Sequence, residues 1–172
     1  MILIDKVVSS IKSDEIEKVL MSDNFPWFWN ESTLTEKNDN VNNFMFTHVF
    51  LNDGKVNSSY YYLVEAIITS LRIKHPEIKK PFRIKANLLT NSVLTDEQNE
   101  HEIHTDIDLD NYMSFVYYVS NSDGDTIIYE DSIQKVSPKK NTGVLFKSNM
   151  KHRGSSPQNH KRRIVINFVF EV

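Results

Sequence analysis

A mostly β architecture with flanking helices is predicted for this 172-residue chain, on three observations. The C-terminal half carries short segments rich in β-branched and aromatic residues: "FRIKANLLT", "MSFVYYVS", "TIIYED", "TGVLFKS" and "RRIVINFVFEV". Turn clusters such as "NSDGD" and "SPKKN" separate them. Helical periodicity is confined to the region before residue 81. Strands that follow one another in this way specify a sandwich or barrel rather than alternating βαβ units.

Length allows one domain with a sizeable core. The expected division is 1–172 as a single domain, with 1–80 as a mixed helical support and 81–172 as the β core. Hydrophobic residues at 40% and charged residues at 25% are values of an ordinary soluble protein. No apolar run reaches the roughly 18 to 20 residues of a membrane span. The apolar start "MILIDKVV" lacks a basic lead and is broken by Asp5 and Lys6, so no signal peptide is expected. The chain has no cysteine, which excludes disulfides and thiolate metal sites and fits a reducing, cytoplasmic setting. Any metal must be held by His, Asp or Glu.

The net charge of −3 conceals segregation: 86–134 holds 11 acidic residues and no Lys or Arg, whereas 132–170 holds nine basic residues and no acid. The plain reading is neighbouring strands that neutralise each other. The sharper one is a basic rim around Lys139, Lys140, Lys151, Arg153, Lys161 and Arg162 for an anionic partner, nucleic acid included.

Element by element, "SDEIEKVLMSD" reads as a helix with Asp14 and Glu17 at capping-box spacing and Ile16, Val19 and Leu20 on one face. "TEKNDNVNN" reads as a polar loop. "FMFTHVFL" reads as a strand whose His48 is structural or on the surface. "NSSYYYLVEAIITSLRIKHPEIKK" is a longer amphipathic helix capped by Ser58 or Ser59. Tyr60, Leu63, Val64, Ile67 and Leu71 form its stripe, and Pro76 lies past its end. In "FRIKANLLT" the alternation puts Arg83, Lys85 and Asn87 on one face and Ile84, Ala86 and Leu88 on the other.

The chemistry concentrates in "NEHEIHTDID", 99–108. A zinc-protease motif needs two His four apart on a helix; here His101 and His104 are one residue too close and no helical pattern surrounds them. In an extended chain, positions i and i+2 share a side, so His104 and Asp106 project together. Glu102 shares that side as a competing carboxylate, while His101 faces away. Taken alone, the His-x-Asp triplet is a weak signal. Among His48, His75, His152 and His160 as third ligand, His152 stands out because it ends the "TGVLFKSNMKH" strand region. Two His and one carboxylate form the facial set of non-haem Fe(II) sites, with positions left open. In "RRIVINFVFEV", Ile164, Ile166, Phe168 and Phe170 make an apolar face, and Arg163, Val165, Asn167 and Val169 the other. A buried arginine is costly unless it meets an anion, and Arg163, 11 residues after His152, has the planar fork that suits a carboxylate. A surface salt bridge is its plainer reading, and Arg162 is expected to point to solvent.

This ordered set resembles the Fe(II)/2-oxoglutarate-dependent oxygenases: His-x-Asp, a second His, then Arg about ten residues on, leading into an apolar strand. It is closest to their prolyl-4-hydroxylase-like branch and its small phage-type versions, over roughly 81–172. "VYYVSNSDGDTIIYED" and "VSPKKNTGVLFKSNMKH" belong to the likeness, with "FPWFW" and "FMFTHVF" more loosely. The resemblance implies a double-stranded β-helix (jelly roll, cupin-like) core. It implies Fe(II) held by His104, Asp106 and His152, with 2-oxoglutarate as cosubstrate and O2 as oxidant. Arg163 and Tyr118 would bind the far carboxylate of 2-oxoglutarate, while Asn87 and Asn167 would touch cosubstrate or substrate. The implied reaction is hydroxylation coupled to oxidative decarboxylation, on a protein or peptide rather than nucleic acid. A cupin-like metal protein without oxygenase activity and a non-catalytic structural β protein remain as alternatives from the residues alone.

Overall fold

Two antiparallel sheets organise the residues that the computed structural model describes, 1–32, 44–91 and 100–172. The polar loop expected over "TEKNDNVNN" and the first residue of "NEHEIHTDID" fall outside them. In chain order the elements are β1 (Ile2–Asp5), α1 (Ser10–Leu20), β2 (Phe28–Asn30), β3 (Met45–Asn52) and β4 (Lys55–Val56). A 3-10 turn (Ser59–Tyr61), α2 (Tyr62–Lys74), β5 (Pro81–Thr90), β6 (Tyr112–Tyr118) and β7 (Thr126–Tyr129) follow. Then come β8 (Ile133–Val136), β9 (Thr142–Lys147), β10 (His152–Gly154) and β11 (Arg162–Glu171). The large sheet runs β1-β9-β6-β11-β5-β3-β2 with β4 paired to β3; the small sheet runs β10-β7-β8. This is the double-stranded β-helix arrangement, with helices on one side. No helix among the described residues is long and apolar enough to cross a membrane.

Period-two alternation explains why the large sheet has two different faces. On β11, Ile164, Ile166, Phe168 and Phe170 are buried in the principal core together with Ile84 and Ala86 of β5 and Phe115 and Tyr117 of β6. The helices close this core with Ile16 and Leu20 of α1 and Leu63, Val64, Ile67 and Leu71 of α2. Each large side chain sealed there contributes about 1.5–3 kcal/mol through burial. The opposite face is narrower and mixed. Val116, Tyr118, Val144, Phe146 and Val165 meet Ile128 of the small sheet in a second apolar cluster, and the polar residues of β5 and β11 lie beside it.

The helices follow the sequence pattern except at one cap. α1 begins earlier than the capping-box spacing indicates: Ser9 is the N-cap, accepting from the Lys12 amide at 3.3 Å. Asp14 and Glu17 serve another purpose, both pairing with Lys140 in the turn before β9, Asp14 at 2.6 Å. Three residues apart on a helix, they stand on one face, so a spacing that resembles a cap builds a clamp. Asn141 next door accepts from the Val8 amide at 3.0 Å and donates to the Val8 carbonyl at 2.8 Å. In the second helical region Ser58 caps the 3-10 turn at Tyr60, and α2 follows from it. His48 is structural: its ring nitrogens meet the Pro26 carbonyl at 2.8 Å and the Ser58 hydroxyl at 2.7 Å.

The two charge-segregated segments do meet. Glu100 pairs with Lys135 at 3.4 Å and with Arg153, so part of the opposition is local neutralisation. Lys139, Lys147, Lys151, Lys161 and Arg162 stay exposed, and Arg162 lies against the Met21 sulfur.

Two glycines separate close packing from backbone conformation. A Cβ on Gly143 would lie 2.4 Å from the Phe115 ring and 2.6 Å from the Val116 carbonyl, whereas Gly54 has open space but a φ of +72°. Gly143→Ala is expected to lower unfolding free energy by about 1–3 kcal/mol through overpacking, and Gly54→Ala by about 1–2 kcal/mol through left-handed strain. Urea denaturation checks both. A Gly143→Ala protein as stable as the parent would show that β6 and β9 are not packed this closely.

Candidate metal centre and cavity

An irregular extended segment is tied to the small sheet by its backbone. The His104 amide donates to the His152 carbonyl at 2.9 Å, and the His152 amide returns the bond to His104 at 2.9 Å. The Asp106 amide donates to Ser148 at 3.0 Å and the His101 amide to Gly154 at 2.9 Å. These bonds bring the His-x-Asp triplet against a histidine nearly fifty residues later.

As a result, one ligand atom from each of His104, Asp106 and His152 lies within 4.8 Å of the others. They are the His/Asp/Glu group found among the described residues that could hold a metal ion. The Nδ1 of His104 lies 3.1 Å from the Glu102 carbonyl and that of His152 lies 3.0 Å from the Met150 carbonyl. A carbonyl only accepts, so both Nδ1 atoms carry the proton and both Nε2 atoms are left as lone-pair donors. This is how metal-binding histidines are usually oriented. Burial, then the neighbouring His152, lowers the His104 pKa, against the Glu102 carbonyl and Asp106, which raise it. The ring is therefore held neutral, the form that coordinates. Burial alone would raise the Asp106 pKa, but His152, Arg83, a Ser114 hydrogen bond and His104 outweigh it and hold it below its ordinary value. Arg83 donates to Asp106 Oδ1 at 2.5 Å and Ser114 to Oδ2 at 2.6 Å. The donor set of two imidazoles and one carboxylate fits Fe(II), with one face open toward a cavity.

That cavity measures about 620 Å³ and is lined by all three residues and by Arg163, Asn87 and Asn167. Arg163 is 5% exposed, which rules out a surface salt bridge. Its Nε donates to the Gly124 carbonyl at 2.7 Å and its Nη2 to Thr126 Oγ1 at 2.8 Å. Among the described residues no carboxylate pairs with it. Burial lowers its pKa, against Tyr118 and Asp125.

The side-chain carbonyl oxygens of Asn87 and Asn167 and the Tyr118 hydroxyl are buried without a hydrogen-bond partner. Unpaired buried polar atoms are rare in folded proteins, so the two asparagine oxygens, whose residues line the cavity, are open to a ligand's polar groups. Tyr118 does not line the cavity. It sits in the second apolar cluster, beside Thr126, whose hydroxyl already accepts from Arg163. Burial pushes its pKa up to about 12 against the pull of Thr126 and Arg163, so it is a neutral donor.

One sequence reading needs correction. His101 does not face away: it lines the cavity and lies 3.0 Å from the Ser156 hydroxyl, and burial, then Arg163 and His104, push its pKa down to about 4. Strict alternation fails because the segment is held by isolated bridges rather than a regular strand. Glu102 lines the cavity but is not part of the three-residue group. Arg83, Ser114 and Thr126 were not assigned to the site. Arg83 was legible as a polar neighbour of Asn87 on β5, whereas a serine inside an apolar strand gave no signal.

A double-stranded β-helix with two histidines and a carboxylate converging on an open cavity defines a non-haem iron type of centre. Residues 90–171, the stretch that carries the site, match the family model of the 2OG-Fe(II) oxygenase superfamily. No curated protein matches the chain by sequence. Among solved structures it is similar to a prolyl hydroxylase from Trichoplax adhaerens in complex with a hypoxia inducible factor peptide fragment. That likeness has a TM-score of 0.69 and 14% identity, covering 99% of this chain and 82% of that one. A prolyl-4-hydroxylase from Pseudomonas putida gives 0.62 and 11%, covering 99% and 91%. A non-heme alpha ketoglutarate dependent epimerase from nogalamycin biosynthesis gives 0.70 and 10%, covering 98% and 76%. At these identities the likeness is one of fold.

Position of the arginine depends on a carboxylate elsewhere. Asp123 accepts from the Asn159 amide at 2.7 Å, the Asn159 side chain at 2.8 Å and His160 Nδ1 at 3.0 Å, tying the loop before β11 to the turn that offers the Gly124 carbonyl. Burial works to raise its pKa, but these donors hold it far below the usual carboxylate range. A depressed carboxylate gives stability above its unfolded pKa, and that stability is lost as pH falls through the folded value. The stability gap between the parent and Asp123→Ala should be constant from about pH 5 to 7 and shrink below about pH 4. Urea midpoints across this range measure it; a gap that does not change with pH would refute the role.

Proposed function

We propose that this chain hydroxylates a side chain of a protein or peptide, with His104, Asp106 and His152 holding Fe(II) and Arg163 holding the far carboxylate of 2-oxoglutarate. The observation that carries the reading is the joint one: a three-ligand cluster shares a cavity with a buried arginine that no carboxylate among the described residues satisfies. With 2-oxoglutarate and O2, the bound iron supplies the oxidising power for C–H hydroxylation, giving succinate and carbon dioxide as co-products.

The chain's residues provide the orientation. Glu102 and Met150 carbonyls fix the two rings, and Arg83 with Ser114 fixes the carboxylate. Arg163, already anchored to Gly124 and Thr126, presents its remaining donors to the cosubstrate, and Tyr118 adds a neutral hydroxyl beside it. Asn87 and Asn167 offer acceptors along the same wall. Low-dielectric surroundings strengthen each of these contacts. A peptide substrate is supported by the fold shared with a prolyl hydroxylase solved with its peptide. The work is assigned to the cytoplasm, that of a host if the chain is virus-borne.

Fe(II) and 2-oxoglutarate added without oxygen should give the weak visible charge-transfer band of the chelate, and His104→Ala or Asp106→Ala should abolish it. Arg163→Ala should keep the band but raise the 2-oxoglutarate concentration needed by roughly ten- to a hundredfold, as for loss of a charged hydrogen-bonded pair. A band that survives both ligand substitutions would sink the metal assignment. Unchanged 2-oxoglutarate affinity in Arg163→Ala would sink the clamp.

A further inference from the structure

The sheet wall of the cavity has a second cationic end that the cosubstrate does not use. On β5, Arg83 and Lys85 project from the same face as Asn87 and line the cavity. Arg83 is engaged with Asp106. Lys85 is not: among the described residues its ammonium has no ion-pair or hydrogen-bond partner, although it lies on the cavity wall. The nearest acid by influence, Asp106, already has one oxygen on Arg83 and the other on Ser114. Burial lowers the Lys85 pKa, as does Arg83, with Asp106 opposing. An unpaired cation in a half-buried wall is costly unless an anion arrives.

Strand register places this cation apart from the arginine. Lys85 pairs with Asn167 across β5 and β11, while Arg163 pairs with Leu89. Asn167 and Arg163 are four residues apart, about 13 Å along the strand. 2-oxoglutarate has only about 5 Å between its carboxyl carbons, at ~1.5 Å per bond. A molecule chelating metal at one end and reaching Arg163 at the other therefore extends away from Lys85. A cavity of about 620 Å³ is in the range that encloses drug-sized ligands, so a five-carbon diacid leaves room for a second molecule. Charge counting agrees. Iron(II), Asp106, Arg83, Arg163 and the dianionic cosubstrate sum to +1, and Lys85 raises the surplus to +2, so a further anion is called for.

We propose that Lys85 receives a carboxylate of the primary substrate, so that the enzyme selects an acidic residue next to the one it hydroxylates. This rests on the oxygenase reading above. A lone ammonium pairs with an anion as a point charge, and on a protein or peptide substrate the anion at hand is a side-chain carboxylate. Arg83 does not compete for the substrate acid, because Asp106 holds it. Lys85 is thus a specificity-determining residue on the same sheet face as the cosubstrate clamp, about four residues further along it.

The test uses three capped peptides with a central proline, differing only in whether the flanking positions carry Glu, Gln or Lys. Binding is followed by fluorescence anisotropy to the protein loaded with Fe(II) and 2-oxoglutarate without oxygen. The Glu peptide should bind about tenfold tighter than the Gln peptide, the scale of a charge-assisted hydrogen bond. Lys85→Gln should bring it down to the Gln level, and Lys85→Arg should keep part of the preference. The 2-oxoglutarate affinity read from the charge-transfer band should be unchanged in Lys85→Gln. The proposal is overturned by no acid preference in the parent protein, including no binding of any peptide, or by a preference that survives Lys85→Gln. A Lys85→Gln loss of 2-oxoglutarate affinity overturns it too, by assigning the lysine to the cosubstrate. If Lys85→Gln does not fold, the parent's preference and the Lys85→Arg protein still decide. A parent protein with no charge-transfer band fails the oxygenase reading itself; a band without acid preference fails only this inference.

Discussion

The reciprocal backbone hydrogen bonds between His104 and His152 are the constraint on which the site depends. Each residue gives its amide to the other's carbonyl at 2.9 Å, which fixes the separation of the Cα atoms before any side chain is considered. The side chains then need only local restraint, which the carbonyls two residues upstream supply. Coordination geometry is thereby set by main-chain bonds, the least variable interactions in the fold, and a metal finds its ligands already positioned. The cost is that the 100–106 segment is not a regular strand, and its orphan edge must be closed by isolated bridges to β10.

β11 connects this centre to the rest of the molecule. One face of the strand buries Ile164, Ile166, Phe168 and Phe170 against the helices, so its register cannot slip by one residue without turning that face toward the cavity. The opposite face holds Arg163, Val165 and Asn167 at fixed spacing. The hydrophobic core therefore determines where the anion clamp stands relative to the metal ligands. Asp123 acts on the same strand from its entry loop, since it gathers the Asn159 and His160 donors just before Arg162.

This division of labour also explains what could be read from the sequence. Where a strand is regular and buried on one side, alternation suffices: the two faces of β5 and β11 are as the pattern indicates, and the polar set on each lines the cavity. Helix α2 is similarly legible, because Leu63, Val64, Ile67 and Leu71 recur at helical spacing. The pattern failed where a distant partner decides. Asp14 and Glu17 have the spacing of a capping box, but their fate was set by Lys140, more than a hundred residues away. His101 was assigned to the wrong side because alternation was extended into a segment held by bridges. Ser114 could not be singled out, since a serine among apolar strand residues acquires meaning only when Asp106 is placed opposite it.

Electrostatics give the cavity two ends of different character. Arg163 is anchored by neutral acceptors, the Gly124 carbonyl and the Thr126 hydroxyl, which orient it without neutralising its charge. Arg83 is the reverse case: its charge is matched by Asp106, and it serves to orient that carboxylate. Lys85 has neither an anchoring acceptor nor a matching acid among the described residues. Burying three cations around one carboxylate destabilises the folded chain unless anions enter, so the cavity stores an affinity for negative charge in its own architecture. One dianion satisfies the arginine end and the metal. The geometry of β5 leaves the lysine end for whatever molecule is to be oxidised, and the separation of Lys85 on β5 from Arg163 on β11 along the sheet keeps the two anions from exchanging places.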